Sequence, residues 1–223
     1  MTAHTKSKPA NNQPDFYAPL RRALPVAEQV QGLMLRRART GILRILQGGG
    51  AHTVLDVCCG SGCLACRLSM AGFDVTGVDS SPTMLDRART KQRVARFLHC
   101  DACHMPFSGA FDAAVVSLAL HEMDASQRDS VWGEMHRAVR PGGLLIALDF
   151  TISKNLKWYS RAVGRLIDND EKQMGGINPA HYENFQEFMS TGGLEGWLSA
   201  RERNNMTARY YGGGNLGVFT VAA

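Results

Sequence analysis

The sequence lacks any apolar run near the roughly 18 residues that a bilayer-spanning helix needs, so no transmembrane segment is expected. Its first residues, MTAHTKSKPANNQPDF, contain no apolar stretch of the kind a secretory signal carries. A cytoplasmic location is therefore expected, and there the six cysteines remain thiols rather than disulfides. Neither sign of charge dominates: 25 Lys and Arg stand against 20 Asp and Glu, a net +5. The basic clusters at Arg36, Arg37 and Arg39, and from Arg87 through Lys91 to Arg96, read as solvated helix faces, and no nucleic-acid partner is expected. There is no internal repeat.

What is present is the composition of an ordinary globular domain, 44% hydrophobic and 20% charged over 223 residues. Residues 1–15 are polar and read as a tail. Residues 16–50 read as a helical cap, with Val26, Val30, Leu33, Ile42, Leu43 and Leu46 at roughly helical spacing before Gly48-Gly49-Gly50. From 51 to 152 short apolar runs (TVLDVC, DVTGVD, RFLHCD, FDAAVVSLAL, GGLLIALDF) alternate with amphipathic stretches. Strands alternating with helices imply a parallel sheet covered on both faces. Residues 153–198 read as a helical insertion, with Leu156, Tyr159, Val163 and Leu166 marking one helix and Tyr182, Phe185, Phe188 and Met189 another. Residues 199–223 carry a hairpin pattern around Gly212-Gly213-Gly214-Asn215.

The chemistry-bearing stretch is Asp56-Val57-Cys58-Cys59-Gly60-Ser61-Gly62, which follows a strand and opens a helix. Glycines at such a junction let the backbone turn sharply and approach a ligand with no side chain between. Asp79 closes the next strand 17 residues after Gly62, where a carboxylate lies beside a ligand's ribose and suits a free diol. Asp101, in FLHCDACHMPF, falls at the end of the third strand, as a ligand residue or a turn Asp. The third glycine of a dinucleotide fingerprint is replaced by Ala65, which weakens an NAD-binding oxidoreductase reading without removing it.

Taken together these motifs resemble the class I S-adenosylmethionine-dependent methyltransferases, most closely the group that includes the ubiquinone and menaquinone biosynthesis methyltransferases. The resemblance spans about residues 51–152, with five motifs in order. VLDVCCGSG is similar to the first, with Cys58 where the family usually has its first glycine. VTGVDSSPTML is similar to the second, which implies Asp79 on the ribose hydroxyls and Ser80 and Met84 flanking the adenine. FLHCDACHMPF implies Asp101 on the adenine amino group with Ala102 stacked nearby, and FDAAVVSLALHEM implies Ser117 and Leu118 along the methionine end. With Asp56, Gly60 and Gly62, these residues form the expected S-adenosyl-L-methionine site. The implied fold is α/β: a Rossmann-like, doubly wound, mostly parallel seven-stranded sheet with a C-terminal antiparallel strand.

The resemblance implies a small-molecule methyl acceptor. An Asn/Asp-Pro-Pro-aromatic element, common in enzymes that methylate amino groups, is replaced here by Ser117-Leu118-Ala119-Leu120, which counts against an amino-group acceptor without identifying the acceptor. With the resemblance, an oxygen or carbon of a quinone- or phenol-like compound is the expectation. Such an acceptor leaves room for peripheral membrane contact, with Trp158 and Lys157 as facing residues. Methyl transfer requires in-line alignment, and a poor nucleophile also needs its proton removed. His121, just beyond the fourth strand, is the catalytic candidate, as base or orienting group; the alternative is a histidine bonded at a strand–helix junction. Glu122 beside it reads as a helix N-terminal charge. Tyr17, Trp158, Tyr159, His181, Tyr182 and Tyr211 are candidates for the acceptor pocket, though aromatics at such spacing are more often core. Two CxxC pairs, Cys63/Cys66 and Cys100/Cys103, admit a metal- or thiol-binding module as a further alternative. Their separation of 33 residues exceeds the usual zinc-ribbon spacing, so they are read as structural and no metal is expected. Oligomeric state is not legible.

Overall fold

The computed structural model describes residues 15–91, 95–154, 156–202 and 205–223. All but Asp15 of the tail read from the sequence lies outside these residues. Helices α1 (Leu24–Met34) and α2 (Arg36–Gly48) precede the first strand, β1 (Thr53–Val57). Then follow α3 (Cys63–Met70), β2 (Asp74–Asp79), α4 (Pro82–Lys91), β3 (Arg96–His99), β4 (Phe111–Ser117), α5 (Ala125–Ala138) and β5 (Val139–Phe150). The chain continues through α6 (Ser160–Gly175), α7 (Pro179–Ser190), α8 (Gly193–Glu202), β6 (Met206–Tyr211) and β7 (Leu216–Ala222).

The seven strands form one sheet in the order β3-β2-β1-β4-β5-β7-β6. β1 to β5 are parallel, and β7 runs antiparallel between β5 and β6, as the sequence led us to expect. Parallel strands buried on both faces need apolar residues throughout rather than every second position, and four of the five residues of β1 are buried. Successive side chains alternate between faces. Leu55 and Val57 pack on the side of α5, α7 and α8 with Trp132, Met135, Phe188 and Trp197. Val54 packs on the side of α2 and α3 with Ile42, Leu46, Leu64 and Leu68.

Local signals fix several helix starts. Asp124 caps α5, accepting from the Gln127 backbone N–H while the Gln127 side chain accepts from the Asp124 N–H, a reciprocal capping box. Pro179 opens α7, where a missing N–H costs nothing.

The apolar spacing on the two helical segments is only partly a core signal. Ile42 and Leu46 are fully buried, but Val26, Val30 and Leu33 on α1 are exposed. Leu156 precedes α6 and is exposed, as is Leu166 within it, whereas the residues α6 does bury are Ser160 and Glu171. Periodicity marks an apolar face; it does not say whether anything covers it. Arg39, read with the solvated basic faces, is instead 8% exposed.

Candidate functional site

The sheet order reverses at β1: the chain moves outward to β2 and β3, then returns to place β4 on the other side of β1. In an open α/β sheet such a switch point leaves a crevice beyond the carboxyl ends of the strands. Asp56, Cys58, Gly60 and Gly62 lie there at the end of β1, Asp79 and Ser80 at the end of β2, Asp101 and Ala102 after β3, and Ser117 and Leu118 at the end of β4. Met84 projects from the first turn of α4.

Backbone conformation singles out the same place. Among the described residues, the non-glycine residues with positive φ are Cys58 (55°) and Leu118 (53°). Both sit just past adjacent parallel strands, β1 and β4. A left-handed L-residue costs about 1–2 kcal/mol, and such strain gathers at ligand sites. Cys58, standing where the family has glycine, therefore keeps the glycine conformation. Gly60 (φ 53°) has open space where a Cβ would project, whereas at Gly62 (φ 72°) a Cβ would press on Phe97 and Ala88 at 2.8 and 2.9 Å. One glycine leaves room for a ligand and the other lets α3 approach the sheet.

Asp79 links the glycine turn to β2. Its Oδ2 accepts from the Gly60 backbone N–H at 2.7 Å and its Oδ1 from the Ser81 N–H at 2.8 Å. Each oxygen retains a lone pair for a hydroxyl donor, so the half-buried carboxylate suits a vicinal diol. Burial pushes its pKa up, and the two backbone bonds oppose that shift. Asp56 is buried to 1%, its Oδ2 has no partner, and burial pushes its carboxyl up to about 7. An unpartnered buried carboxyl oxygen, open space at Gly60 and a diol-facing carboxylate together fit a nucleoside-bearing cation such as S-adenosylmethionine. Asp101 accepts from the Cys103 N–H at 2.9 Å and pairs with His104 at 3.2 Å, so its turn role and its place at the crevice coexist.

Asp15 and Tyr17 bring the N-terminal segment onto this crevice. Asp15 accepts from Ser81 Oγ at 2.7 Å and from the Thr83 N–H at 3.0 Å. The Tyr17 hydroxyl donates to Glu122 at 3.0 Å. Glu122, then Asp79 and Cys58, bear electrostatically on that phenol and hold its pKa well above the ordinary value.

On the β4 side lies a second cluster. His121 is 3% exposed, and its Nδ1 is 2.6 Å from Asp149 Oδ1. Asp149, fully buried on β5, also accepts backbone N–H groups of Leu120 at 3.0 Å and Phe150 at 2.8 Å. His121 Nε2 lies 3.5 Å from Glu171 Oε2, and His181 Nε2 is 2.5 Å from the same oxygen. His181 Nδ1 faces Glu122 Oε2 at 4.0 Å. Burial works against the His121 imidazolium, but Asp149 and Glu171 outweigh it and hold its pKa well above the ordinary value. Glu171 ionises readily: hydrogen bonds from His121 and His181 overcome burial and hold its carboxyl down at about 2. Burial instead pushes Glu122 up, so this residue is more than a helix-end charge.

Sequence reasoning singled out His121 and His181 but missed Asp149, Glu171 and Asp15. Asp149 had a legible signal, an acid inside the apolar run LLIALDF. Glu171 had none, lying on a helix whose neighbours are mostly polar. Of the other aromatics, Trp158 is 93% exposed, Tyr182 donates to Asp168, and Tyr211 packs against α2 at Gly41. All six cysteines are free thiols. Among the described residues, the side chains that converge with metal-ligand spacing are His121, Glu122 and His181, not cysteines.

This sheet order, with an antiparallel seventh strand beside a switch-point crevice, is the class I methyltransferase fold. A family model described as a methyltransferase domain matches residues 54–143. It is 38% identical over 112 residues to an uncharacterized methyltransferase of Synechocystis, covering 49% of this chain and 53% of that one. It is 36% identical over 104 residues to the demethylmenaquinone methyltransferase of Thermus thermophilus, covering 44% and 46%. The chain thus spans about half the length of these curated relatives. The N-methyltransferase NodS of Bradyrhizobium japonicum, solved with S-adenosyl-L-homocysteine, shares the fold at a TM-score of 0.63 and 16% identity, covering 94% of this chain and 98% of that one. No helix among the described residues is long and apolar enough to cross a membrane.

Proposed function

We propose that the protein transfers a methyl group from S-adenosyl-L-methionine to a small-molecule acceptor, at oxygen or carbon of a quinone- or phenol-like compound. The observation that carries this reading is the Asp79 carboxylate, anchored through one oxygen to the Gly60 turn and through the other to Ser81. That anchoring holds it in one orientation for a ribose diol. Ser80, Met84, Asp101 and Ala102 border the adenine end. Asp56, Cys58, Gly60, Gly62, Ser117 and Leu118 border the methionine end.

When bound, the cofactor supplies an electrophilic methyl on a sulfonium. The chain's task is alignment: effective molarities from fixing two reactants reach about 10⁵ M or more without any covalent role for the protein. Leu118 and Cys58, held in a left-handed conformation, shape the crevice where the methyl would lie. His121, with Glu122 and His181, forms the polar wall beyond β4 and orients the acceptor. Two relatives named for demethylmenaquinone and 2-phytyl-1,4-naphthoquinone methylation support an oxygenated aromatic acceptor.

The test is calorimetric titration with S-adenosylmethionine, S-adenosylhomocysteine and NAD. The first two should bind and NAD should not. Tight NAD binding without sulfonium binding would overturn the reading in favour of an oxidoreductase.

A further inference from the structure

The buried cluster beyond β4 holds more charge-bearing groups than orientation of an acceptor requires. Asp149 is fully buried and Glu171 nearly so, and Glu122 is half-buried. Among the described residues, the cationic partners of these three carboxylates are the two histidines alone. Buried carboxylates without lysine or arginine call for a cation, protons on the imidazoles or a metal ion between them.

The geometry favours the metal. Each imidazole is gripped at one nitrogen by a buried carboxylate: His121 Nδ1 by Asp149 at 2.6 Å, His181 Nε2 by Glu171 at 2.5 Å. That leaves as ligating nitrogens His181 Nδ1, 4.0 Å from Glu122 Oε2, and His121 Nε2, which Glu171 Oε2 faces only at the longer distance of 3.5 Å. One donor atom each from His121, Glu122 and His181 lie within 4.8 Å of one another. A carboxylate on the far nitrogen of a ligating histidine fixes its tautomer and direction and raises its basicity. Both histidines carry that support, from two different elements, β5 and α6. The rings of Phe150 and Phe185 wall His121 at centroid distances of 4.7 and 6.1 Å, an apolar shell of the kind that excludes competing water.

We propose that His121, Glu122 and His181 bind a divalent transition-metal ion of the zinc class, oriented by Asp149 and Glu171. Two imidazole nitrogens and one carboxylate oxygen suit such ions and not magnesium or calcium, which take oxygen ligands. Three protein ligands leave a coordination position open, as in catalytic rather than structural zinc sites. Tyr17, hydrogen bonded to Glu122, follows Asp15, which is fastened to Ser81 and Thr83, and so lies on the crevice side, from which a further ligand would come. On the methyl-transfer reading, on which this role rests, that ligand is an oxygen of the acceptor, held as an oxyanion facing the cofactor crevice. The cysteines take no part.

The experiment uses the full chain, stripped with chelator and then given zinc, manganese, cobalt or magnesium. Metal content is read by mass spectrometry and the melting temperature by circular dichroism. Wild type should retain about one equivalent of zinc and melt higher with it. His181→Ala and, as a second variant that preserves the side-chain volume, Glu122→Gln should lose the bound zinc and the rise in melting temperature. Asp149→Asn should weaken zinc about 10–100-fold, as removal of a supporting carboxylate does. Cys63→Ser and Cys66→Ser should bind as wild type does. Absence of bound metal in wild type with no melting shift from zinc, manganese or cobalt would overturn the proposal. Retention of zinc by both His181→Ala and Glu122→Gln would also overturn it. S-adenosylhomocysteine titrated into the stripped protein separates the two readings. Zinc binding without S-adenosylhomocysteine binding sustains the metal centre and defeats methyl transfer; the reverse defeats the metal centre alone.

Discussion

The two halves of the crevice are built in different ways. On the β1–β3 side, binding groups come mostly from turns: backbone N–H groups, glycines in left-handed conformations, and the carboxylates of Asp79 and Asp101, still half open to solvent, with Asp56 alone of them buried. On the β4 side they come from side chains of distant elements, His121 after β4, Asp149 on β5, Glu171 on α6 and His181 on α7, sealed together in the interior. A site made of backbone is set by chain geometry and tolerates exchange of side chains, as Cys58 in a glycine position illustrates. A site made of buried charges depends on each partner, because removing one leaves another unsatisfied in a medium that screens poorly.

The largest effect that would sharpen this contrast is expected at Asp149. Asp149→Ala strips the acceptor from His121 Nδ1 and from the backbone N–H groups of Leu120 and Phe150. Removing one member of such a buried charged network costs about 3–5 kcal/mol, to be read as a fall in the urea midpoint. If the loss were below about 1 kcal/mol, the ordinary worth of a single hydrogen bond, the β4 side would not be the interdependent network described here.

Next comes Asp79→Ala on the opposite side. On the proposed function it removes two charge-assisted bonds to the cofactor diol, worth about 1.5 kcal/mol or more each, so S-adenosylhomocysteine affinity should fall roughly a hundredfold or more by calorimetry. Folding should survive, because the two backbone groups it releases, at Gly60 and Ser81, lie at the crevice and can be hydrated. Comparable losses of folding at Asp79 and Asp149 would erase the distinction between the halves.

A pH effect follows from Asp56. Its folded pKa is pushed up to about 7 from the ordinary 3.8, so the folded state holds this proton more tightly than the unfolded chain does. Its contribution to stability is therefore full below about pH 4 and is lost as pH rises through about 7. Asp56→Asn cannot ionise, and it should gain stability relative to wild type as pH rises from about 4 to about 7, with the gain levelling off above. A difference that is flat with pH across that window would show that burial does not control this carboxyl. The smallest effect is expected at Cys58. Cys58→Gly relieves a left-handed L-residue and should raise stability by about 0.5–1 kcal/mol, part of the gain being offset by lost packing and greater chain entropy, with S-adenosylhomocysteine binding kept.

The same division governs what could be read from the sequence. The sheet, its antiparallel seventh strand and the crevice residues Asp56 to Gly62, Asp79 and Asp101 are contiguous motifs, each carrying its local reason. Asp149 and Glu171 acquire their meaning only when β5 and α6 pack against His121, a tertiary event without sequence spacing. Val26, Val30 and Leu33 show the converse error: a helical apolar pattern was legible, but its burial was not, and α1 leaves them in solvent. Glu122 was misjudged for a related reason, since only the fold brings Tyr17 and His181 to it.

One short stretch of chain touches both halves. Asp15 holds Ser81 and Thr83 on the β2 side, and two residues later Tyr17 holds Glu122 on the β4 side. The segment therefore works as a shared latch, and whatever loosens one of its two fastenings slackens the other.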